Sequence, residues 1–352
     1  MKSFLLASVV MVAGVCGGMT SVAAAEQTVT IAPALRAGDV ARSNVLTTMS
    51  MDFPEADDAH TAALMQDSLF CATQEVTWTV RRIEPGYSVI TQMFTPARIA
   101  SSESASMMSR MMSLRYEFMT GPLECRVGAT GVVDDVLNGG EVAAQMVALL
   151  DKAKPIMDDL ANEVIKDARH PELTDAVKKG MAQAWSPPVM SQQMVTNLMG
   201  KPLFSGSWLW GQTLTVGKPV TAAVPATELS VSVGAMGQHV TGNRTVTLQA
   251  VSEHDISVTW VTSATMTMKL PEQPKVDTSK WPEESRKQYE KSMADIERAS
   301  KPTTITENGT LRLDRRTGMP IDGTIVMLTD GGTGRTQMVT VYSPSTSVKT
   351  GD

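Results

Sequence analysis

Three blocks of the sequence recur in the same order in the two halves of the chain. The block "LRAGDVARSNVLTT" aligns without gaps on "LTVGKPVTAAVPAT", and "VTWTVRRIEPGYSV" resembles "VTLQAVSEHDISV". The third block, "GPLECRVGATGVVDDV", shares its Gly-x-Leu and Thr-Gly pairs with "NGTLRLDRRTGMPID". A single short β pattern recurs easily by chance, but three in one order indicate an internal duplication.

Each repeat is predicted to be antiparallel β-structure. Segments such as "TVTLQAV" and "TLRLDRR" alternate apolar and polar residues, which is the period of a strand with one buried face. The third block predicts a strand, a turn and a strand in both copies, with Gly131 and Gly318 in the turns. The apolar face of such a sheet must be covered by a helix, another sheet or a ligand.

Helical patterns lie between the repeats and inside each of them. The stretch from Glu141 to Leu198 is predicted to be a helical connector. The insertions "SESASMMSRMMSLRY" and "WPEESRKQYEKSMADIERASK" each predict one helix. The predicted fold class is therefore α+β, with two duplicated antiparallel β lobes of curved sheet, a helical connector, and a helix inserted in each lobe. The predicted boundaries are 1–25 for a signal peptide, 26–139 and 206–352 for the lobes, and 140–205 for the connector.

The first residues resemble a secretory signal. Lys2 precedes an apolar run over residues 4–15, and small residues end at Ala25, where we predict cleavage. The expected location is the periplasm or the exterior. A lipoprotein attached through Cys16 is the less favoured alternative, because Val15 is larger than lipoprotein processing normally accepts. The later apolar runs are too short to span a bilayer, so no transmembrane segment is expected in the mature chain.

The charge balance argues against two classes of partner. The chain has 31 Lys and Arg residues against 37 Asp and Glu residues, a net charge of −6. Its basic residues form no block. Nucleic acid and anionic membrane surfaces are therefore not expected as partners.

Cys71 and Cys125 remain after removal of the signal. Two thiols in an oxidising compartment most simply form one disulfide, which is our prediction. A redox or metal pair is the alternative, but the sequence has no CxxC spacing to favour it.

The residues that usually carry catalysis form no recognisable motif. His60, His170, His239 and His254 form no HExxH or HxxxH arrangement. The segment "SGSWLWG" lacks the spacing of a nucleophile elbow, and "GGTG" lacks the Lys-Ser/Thr of a phosphate loop. We therefore predict no catalytic residues, no metal site, no cofactor and no enzymatic activity.

Methionine is unusually frequent, with 25 residues. Its densest cluster has helical spacing, and the inserted helix of the second repeat adds an aromatic and a further methionine. The predicted ligand-binding residues are Met107, Met108, Met111, Met112, Tyr289 and Met293. Core packing is the first interpretation of the cluster, an apolar ligand or partner surface the second, and a Cu(I) site the third.

Two functional classes follow from these patterns. The favoured one is a periplasmic, non-enzymatic protein that binds a hydrophobic or lipid-like small molecule between its sheets and helices. The alternative is a structural or protein-interaction component of the cell envelope without a ligand cavity.

The order of motifs resembles a known family. "LRAGDV", a strand pair ending in "GYSV", "GPLECRVGATGVVDDV", a helical middle and "GSWLWGQTLTV" resemble exported bacterial proteins classified only as a domain of unknown function. The resemblance implies twofold β-rich lobes around a helical connector. It implies no activity and no functional residues, and the insert at residues 271–302 departs from its pattern.

Overall fold

The computed structural model of the chain describes residues 27–52, 70–101, 113–114, 116–117, 120–166, 202–224, 238–268, 282–331 and 334–345. These residues are mostly strand. The strands are β1 (Thr28–Thr30), β2 (Val40–Asp52), β3 (Phe70–Glu84), β4 (Tyr87–Phe94), β5 (Arg98–Ser101), β6 (Leu123–Gly128), β7 (Val133–Val136), β8 (Thr213–Thr215), β9 (Pro219–Ala223), β10 (Gln238–Val251), β11 (Asp255–Met268), β12 (Thr303–Asp314), β13 (Pro320–Gly331) and β14 (Gly334–Pro344). The helices whose bounds the structure describes are α1 (Gly139–Lys166) and α2 (Glu283–Ala299), with a short 3-10 turn at Ser207–Leu209. The predicted signal peptide lies outside the described residues.

The long strands belong to one antiparallel sheet, so the predicted fold class is wrong. The order across the sheet is β7-β6-β4-β3-β2-β14-β13-β12-β11-β10-β9, with β5 also paired to β3. Strands β1 and β8 form a separate two-stranded ribbon. The α+β prediction with two lobes fails because β14 pairs with β13 on one side and with β2 on the other, which fuses the repeats into a mostly β structure.

The alternation of residue types explains why the strands form where they do. In β12, buried and more exposed positions alternate along the whole strand. Ile305, Glu307, Leu311 and Leu313 point to the buried side, while Thr310 is exposed. A period of two places one set of side chains on each face of the sheet, and burial of the apolar set stabilises it.

The recurring sequence blocks occupy matching places in the two halves of the sheet. Blocks one, two and three fall on β2, β3–β4 and β6–β7 in the first half, and on β9, β10–β11 and β12–β13 in the second. Each half therefore runs through five neighbouring strands in the same order.

Backbone hydrogen bonds support this correspondence. The amide of Gly38 donates to the carbonyl of Val80 over 2.8 Å, and the amide of Gly217 donates to the carbonyl of Leu248 over the same distance. A β-bulge follows the acceptor in both strands. The residue in each bulge, Arg81 or Gln249, donates to a threonine hydroxyl on the next strand.

The predicted hairpins of the third block are confirmed. Strands β6 and β7 pair around Gly131, and β12 and β13 pair around Gly318. These glycines have φ values of 71° and 65°, in the left-handed region where a side chain is strained.

The segment from Leu203 to Trp210 packs against strands of both halves. Phe204 packs edge-on against Trp78 of β3 at 5.8 Å between ring centroids. Trp208 packs edge-on against Trp260 of β11 at 5.5 Å. The main hydrophobic core therefore contains side chains from both repeats.

The structure contradicts the predicted disulfide, because both cysteines are free. Cys71 pairs across β3 and β5 with Ala100, whereas Cys125 of β6 lies opposite Ile90, which itself lies opposite Val80. Cys71 is therefore nine residues along β3 from the level of Cys125, about 30 Å at strand geometry. A disulfide needs Cα atoms within about 7 Å.

Candidate functional site

One row of side chains crosses seven strands on the buried face of the sheet. Its members are directly opposite one another in the register, so they share a face. In order across the sheet they are Arg244, Thr262, Glu307, Met327, Met338, Met49 and Phe70, on β10, β11, β12, β13, β14, β2 and β3. We call this set the long row. It is polar at one end and apolar at the other.

The apolar end joins two small hydrophobic clusters. One contains Val224, Val240, Ala264, Ile305 and Met327, with Met338 packed against it. The other contains Met49, Phe70, Ala72 and Tyr116, where the Phe70 and Tyr116 rings stack at 5.4 Å. The register places Met338 between Met327 and Met49, so the apolar surface continues across the junction of the two repeats.

The polar end contains a buried ion pair. The guanidinium of Arg244 lies 3.6 Å from the carboxylate of Glu307, and both side chains are under 5% exposed. Arg244 also donates through Nε to the Thr262 hydroxyl over 2.9 Å. Its guanidinium carbon lies 3.8 Å from the ring centre of Trp208, which is a cation–π contact.

Trp260 completes the polar end. Its indole N–H donates to Glu307 over 2.7 Å. Opposite Trp260 on β12 stands Gly309, and a Cβ atom there would overlap the indole ring. The glycine therefore makes room for the indole that holds the carboxylate in place.

An open cleft lies beside the polar end of the row. It has a volume of about 550 Å³ and includes Val224, Val240, Gly242 and Ala264 in its lining. Gly242 and Ala264 are two residues along their strands from Arg244 and Thr262, about 7 Å at strand geometry. Val224, Val240, Gly242 and Ala264 form the apolar part of the lining, and Thr241, Asn243, Ser263 and Thr265 form a polar part.

The long row was not identified from the sequence. Met327 and Met338 each stand alone in their strands, and β2 contains Met51 as well as Met49. The pattern of one strand does not show which residues lie opposite. The sequence does contain a pattern that could have identified Arg244 and Glu307. Each is a charged residue at a position that alternates with buried apolar ones.

Two of the six predicted ligand-binding residues lie in the part of the chain that the structure describes. Met107, Met108, Met111 and Met112 lie outside the described residues. Tyr289 and Met293 lie half-buried and one turn apart on α2. Neither belongs to the clusters that flank the long row.

The described ranges contain neither a cluster of metal-binding side chains nor a membrane-spanning helix. There, no group of three or more His, Cys, Asp or Glu residues is arranged to hold a metal ion. Neither α1 nor α2 contains a stretch that is long and apolar enough to cross a membrane.

Comparisons with known proteins place the chain in no established family. No family model matches the sequence, and no curated protein matches it. The resemblance to a family of unknown function therefore stays a prediction.

Among solved structures, the chain matches one described as "lipid-protein interactions in lipovitellin", with 9% identity and a TM-score of 0.33. The match covers 89% of this chain and 26% of the lipovitellin chain. A likeness this weak carries no argument about function.

Proposed function

We propose that this protein is a non-enzymatic binding protein that holds a hydrophobic or lipid-like molecule along the apolar part of the long row. The observation that carries the proposal is the unbroken series Met327, Met338, Met49 and Phe70 across four neighbouring strands. Methionine side chains are flexible and polarisable, so a surface built from them adapts to apolar ligands of varied shape. The signal-like residues 1–25 support the periplasm as the place where it acts.

The partial exposure of Met338 favours binding over a purely structural role. Met338, at its centre, is half-buried, although its neighbours on both sides are buried. The cleft next to the row adds open volume with a lining of both apolar and polar residues. A structural component of the envelope would need neither feature.

The first experiment is native mass spectrometry of the protein purified from the periplasm of its own host. A co-purified apolar molecule that is released by organic solvent is the expected result. A homogeneous apo-protein that also fails to bind the fluorescent apolar probe N-phenyl-1-naphthylamine would overturn the proposal and favour the structural alternative.

A matched pair of variants locates the site. Met338→Gln places a polar amide in the middle of the apolar series and should weaken probe binding about tenfold, because a buried amide without a partner costs free energy. Val339→Gln makes the same kind of change one residue later on β14, where the side chain lies on the opposite face. It should leave probe affinity within about twofold. Equal losses in the two variants would show that the probe does not lie on the long row.

A further inference from the structure

We infer that two copies of this chain associate through the outer face of the sheet, the face opposite the long row. The basis is a set of three rows of outward-facing residues that cross the sheet. In the register, one row runs from Pro219 to Thr73, the next from Thr221 to Cys71, and the third from Ala223 to Ser50. We call these three rows the neutral face. The long row lies on the other face, so this inference is independent of the proposed function.

The neutral face contains no charged side chain. Its rows hold eight, eight and seven residues, 23 in all, most of them Thr, Val, Asn or Ser. Charged residues make up 19% of the chain, so about four would be expected among them. They stand instead at the two borders. Arg312 pairs with Asp255 over 3.3 Å at one border, and Arg335 pairs with Asp330 over 3.0 Å at the other. An uncharged centre inside a polar rim is typical of protein interfaces.

The lack of charge favours a second copy of the chain as the partner. In a symmetric dimer the same surface meets itself, so a charged residue near the axis approaches its own copy. Like charges brought together in this way oppose association. The chain as a whole has a net charge of −6, and the neutral face is a surface on which two copies can meet without this repulsion.

The centre of the neutral face is apolar. Val326 on β13 lies opposite Val339 on β14, and Val341 lies opposite Leu46 on β2. Val261, on β11 in the same row as Val326, is 53% exposed. Burial of these side chains between two copies would stabilise the dimer.

The neutral face is large enough for a stable dimer. One residue covers about 32 Å² of a sheet face, the product of about 4.8 Å between strands and about 6.7 Å between alternate residues. The 23 residues therefore cover about 740 Å², close to the roughly 800 Å² per partner of a standard interface. Both copies have the same twist, and such sheets pack face to face at about 30° to each other.

Sedimentation velocity of the protein purified from its own host tests the inference. Between about 0.1 and 100 µM we expect a monomer–dimer equilibrium with a dissociation constant of about 10 µM or lower. Association should not weaken when NaCl is raised from about 0.05 to 0.5 M, because no ion pair lies between the neutral faces. A monomer at about 100 µM would overturn the inference, whatever other partner this face binds. A dimer that dissociates in salt would overturn it as well.

A charge placed on the neutral face should break the dimer. Val326→Glu puts a carboxylate near the centre, where it loses hydration and meets a like charge, and should weaken association at least about hundredfold. Val40 supplies the matched control, because it is 54% exposed on the same side of β2 but lies beyond the charged Arg42. Val40→Glu should change the dissociation constant less than about threefold. Equal dissociation constants in the two variants would show that the copies meet elsewhere.

A second variant covers the case in which Val326→Glu does not fold. Asn308 is exposed on β12 directly opposite Val326, so Asn308→Glu adds a charge without burying it in the monomer. It should weaken association at least about tenfold. Dimers that persist in folded Asn308→Glu would overturn the inference. Binding of N-phenyl-1-naphthylamine should stay unchanged in these variants, so failure of the dimer leaves the proposed function standing.

Discussion

The hydroxyl group of Ser207 donates a hydrogen bond of 2.7 Å to the main-chain carbonyl oxygen of Gly131, 76 residues earlier in the chain. Three residues later, the indole of Trp210 donates to the carbonyl oxygen of Gly318 over 3.1 Å. Gly131 and Gly318 occupy the turns of the two corresponding hairpins. One short segment therefore donates hydrogen bonds to the turns of both repeats. The same segment contains Trp208, which contacts Arg244 at the polar end of the long row.

Replacing Gly131 by alanine should destabilise the protein strongly. The substitution strains a left-handed backbone conformation, and its Cβ would overlap the carbonyl of Ser207. Gly86 provides a matched control, since its φ is 80° but its Cβ would meet open space. We expect Gly86→Ala to lower the free energy of unfolding by about 1–2 kcal/mol, and Gly131→Ala by at least about 1 kcal/mol more. Urea denaturation measures both, and equal losses would contradict the close approach of Ser207.

Removal of the Ser207 hydroxyl should have a moderate effect. The Gly131 carbonyl also accepts a hydrogen bond from the amide of Leu203 at 3.1 Å, so it stays satisfied in Ser207→Ala. The expected loss in the free energy of unfolding is about 1 kcal/mol, the net value of one hydrogen bond. Ser263→Ala, at an exposed position of β11, should change it by less than about 0.5 kcal/mol. A loss above about 3 kcal/mol in Ser207→Ala would mean that Leu203 does not compensate.

Breaking the buried ion pair should lower the free energy of unfolding more than replacing both of its residues by apolar side chains. Glu307→Gln leaves the buried charge of Arg244 without its counter-ion, and we expect a loss of about 3–5 kcal/mol in the free energy of unfolding. The double variant Arg244→Met with Glu307→Leu should lose less, about 1–3 kcal/mol, because it leaves no buried charge but does leave the Trp260 N–H without its acceptor. Chemical denaturation of wild type, Glu307→Gln and the double variant checks both values, and adding the single variants Arg244→Met and Glu307→Leu completes a double-mutant cycle. Additive losses would show that the two charges do not interact.

The two thiols should differ in reactivity. Cys71 is half-buried, whereas Cys125 is buried, and burial raises the pKa of Cys125 to about 12, with Glu124 adding to the effect. Ellman's reagent at pH 8 should therefore titrate one thiol in the native protein and two after denaturation without reductant. Cys71→Ser should reduce the native value to zero. A denatured, unreduced sample with no reactive thiol would restore the disulfide prediction.

The raised pKa of Cys125 also predicts a pH dependence of stability. The ordinary pKa of the thiol is 9.0, and in the folded protein it is about 12. Below pH 9 both states keep the proton, so Cys125 contributes no slope. Above pH 9 the unfolded state ionises first, and the free energy of unfolding should fall as the pH rises towards 12. Denaturation curves between pH 8 and 11 should show a shallower fall in Cys125→Ala, and identical slopes would contradict the burial of the thiol.

Helix α2 should exchange its amide hydrogens faster than α1. Its ion pairs, Lys287 with Glu283 and Arg286 with Glu290, lie on the exposed surface and contribute little. Helix α1 instead buries Val142, Ala143 and Ala153. Hydrogen exchange with mass spectrometry should show weaker protection in Glu283–Ala299 than in the N-terminal turns of α1. Equal slow exchange would show that α2 is a fixed part of the fold.

The sequence by itself determined the local structure of much of the chain. Alternating residues specified strands, and the Thr-Gly pairs located both turns of the third block, because a left-handed turn position strongly favours glycine. The order of the repeated blocks also carried over to the order of strands in each half. These properties depend on neighbours within a few residues, so they can be read from one segment at a time.

Only the tertiary structure decided how the segments combine. A period of two shows which residues share a face, but not which strand pairs with which, or in what register. The pairing of β14 with β2 merged the repeats into one sheet. The same register placed Cys71 far from Cys125 and placed Met327, Met338 and Met49 side by side. It also placed the buried pair of Arg244 and Glu307 at one end of the long row. Those relationships join residues of different strands, in one case Met49 and Met338, which are 338 − 49 = 289 positions apart. They arise from the free energy of the whole sheet.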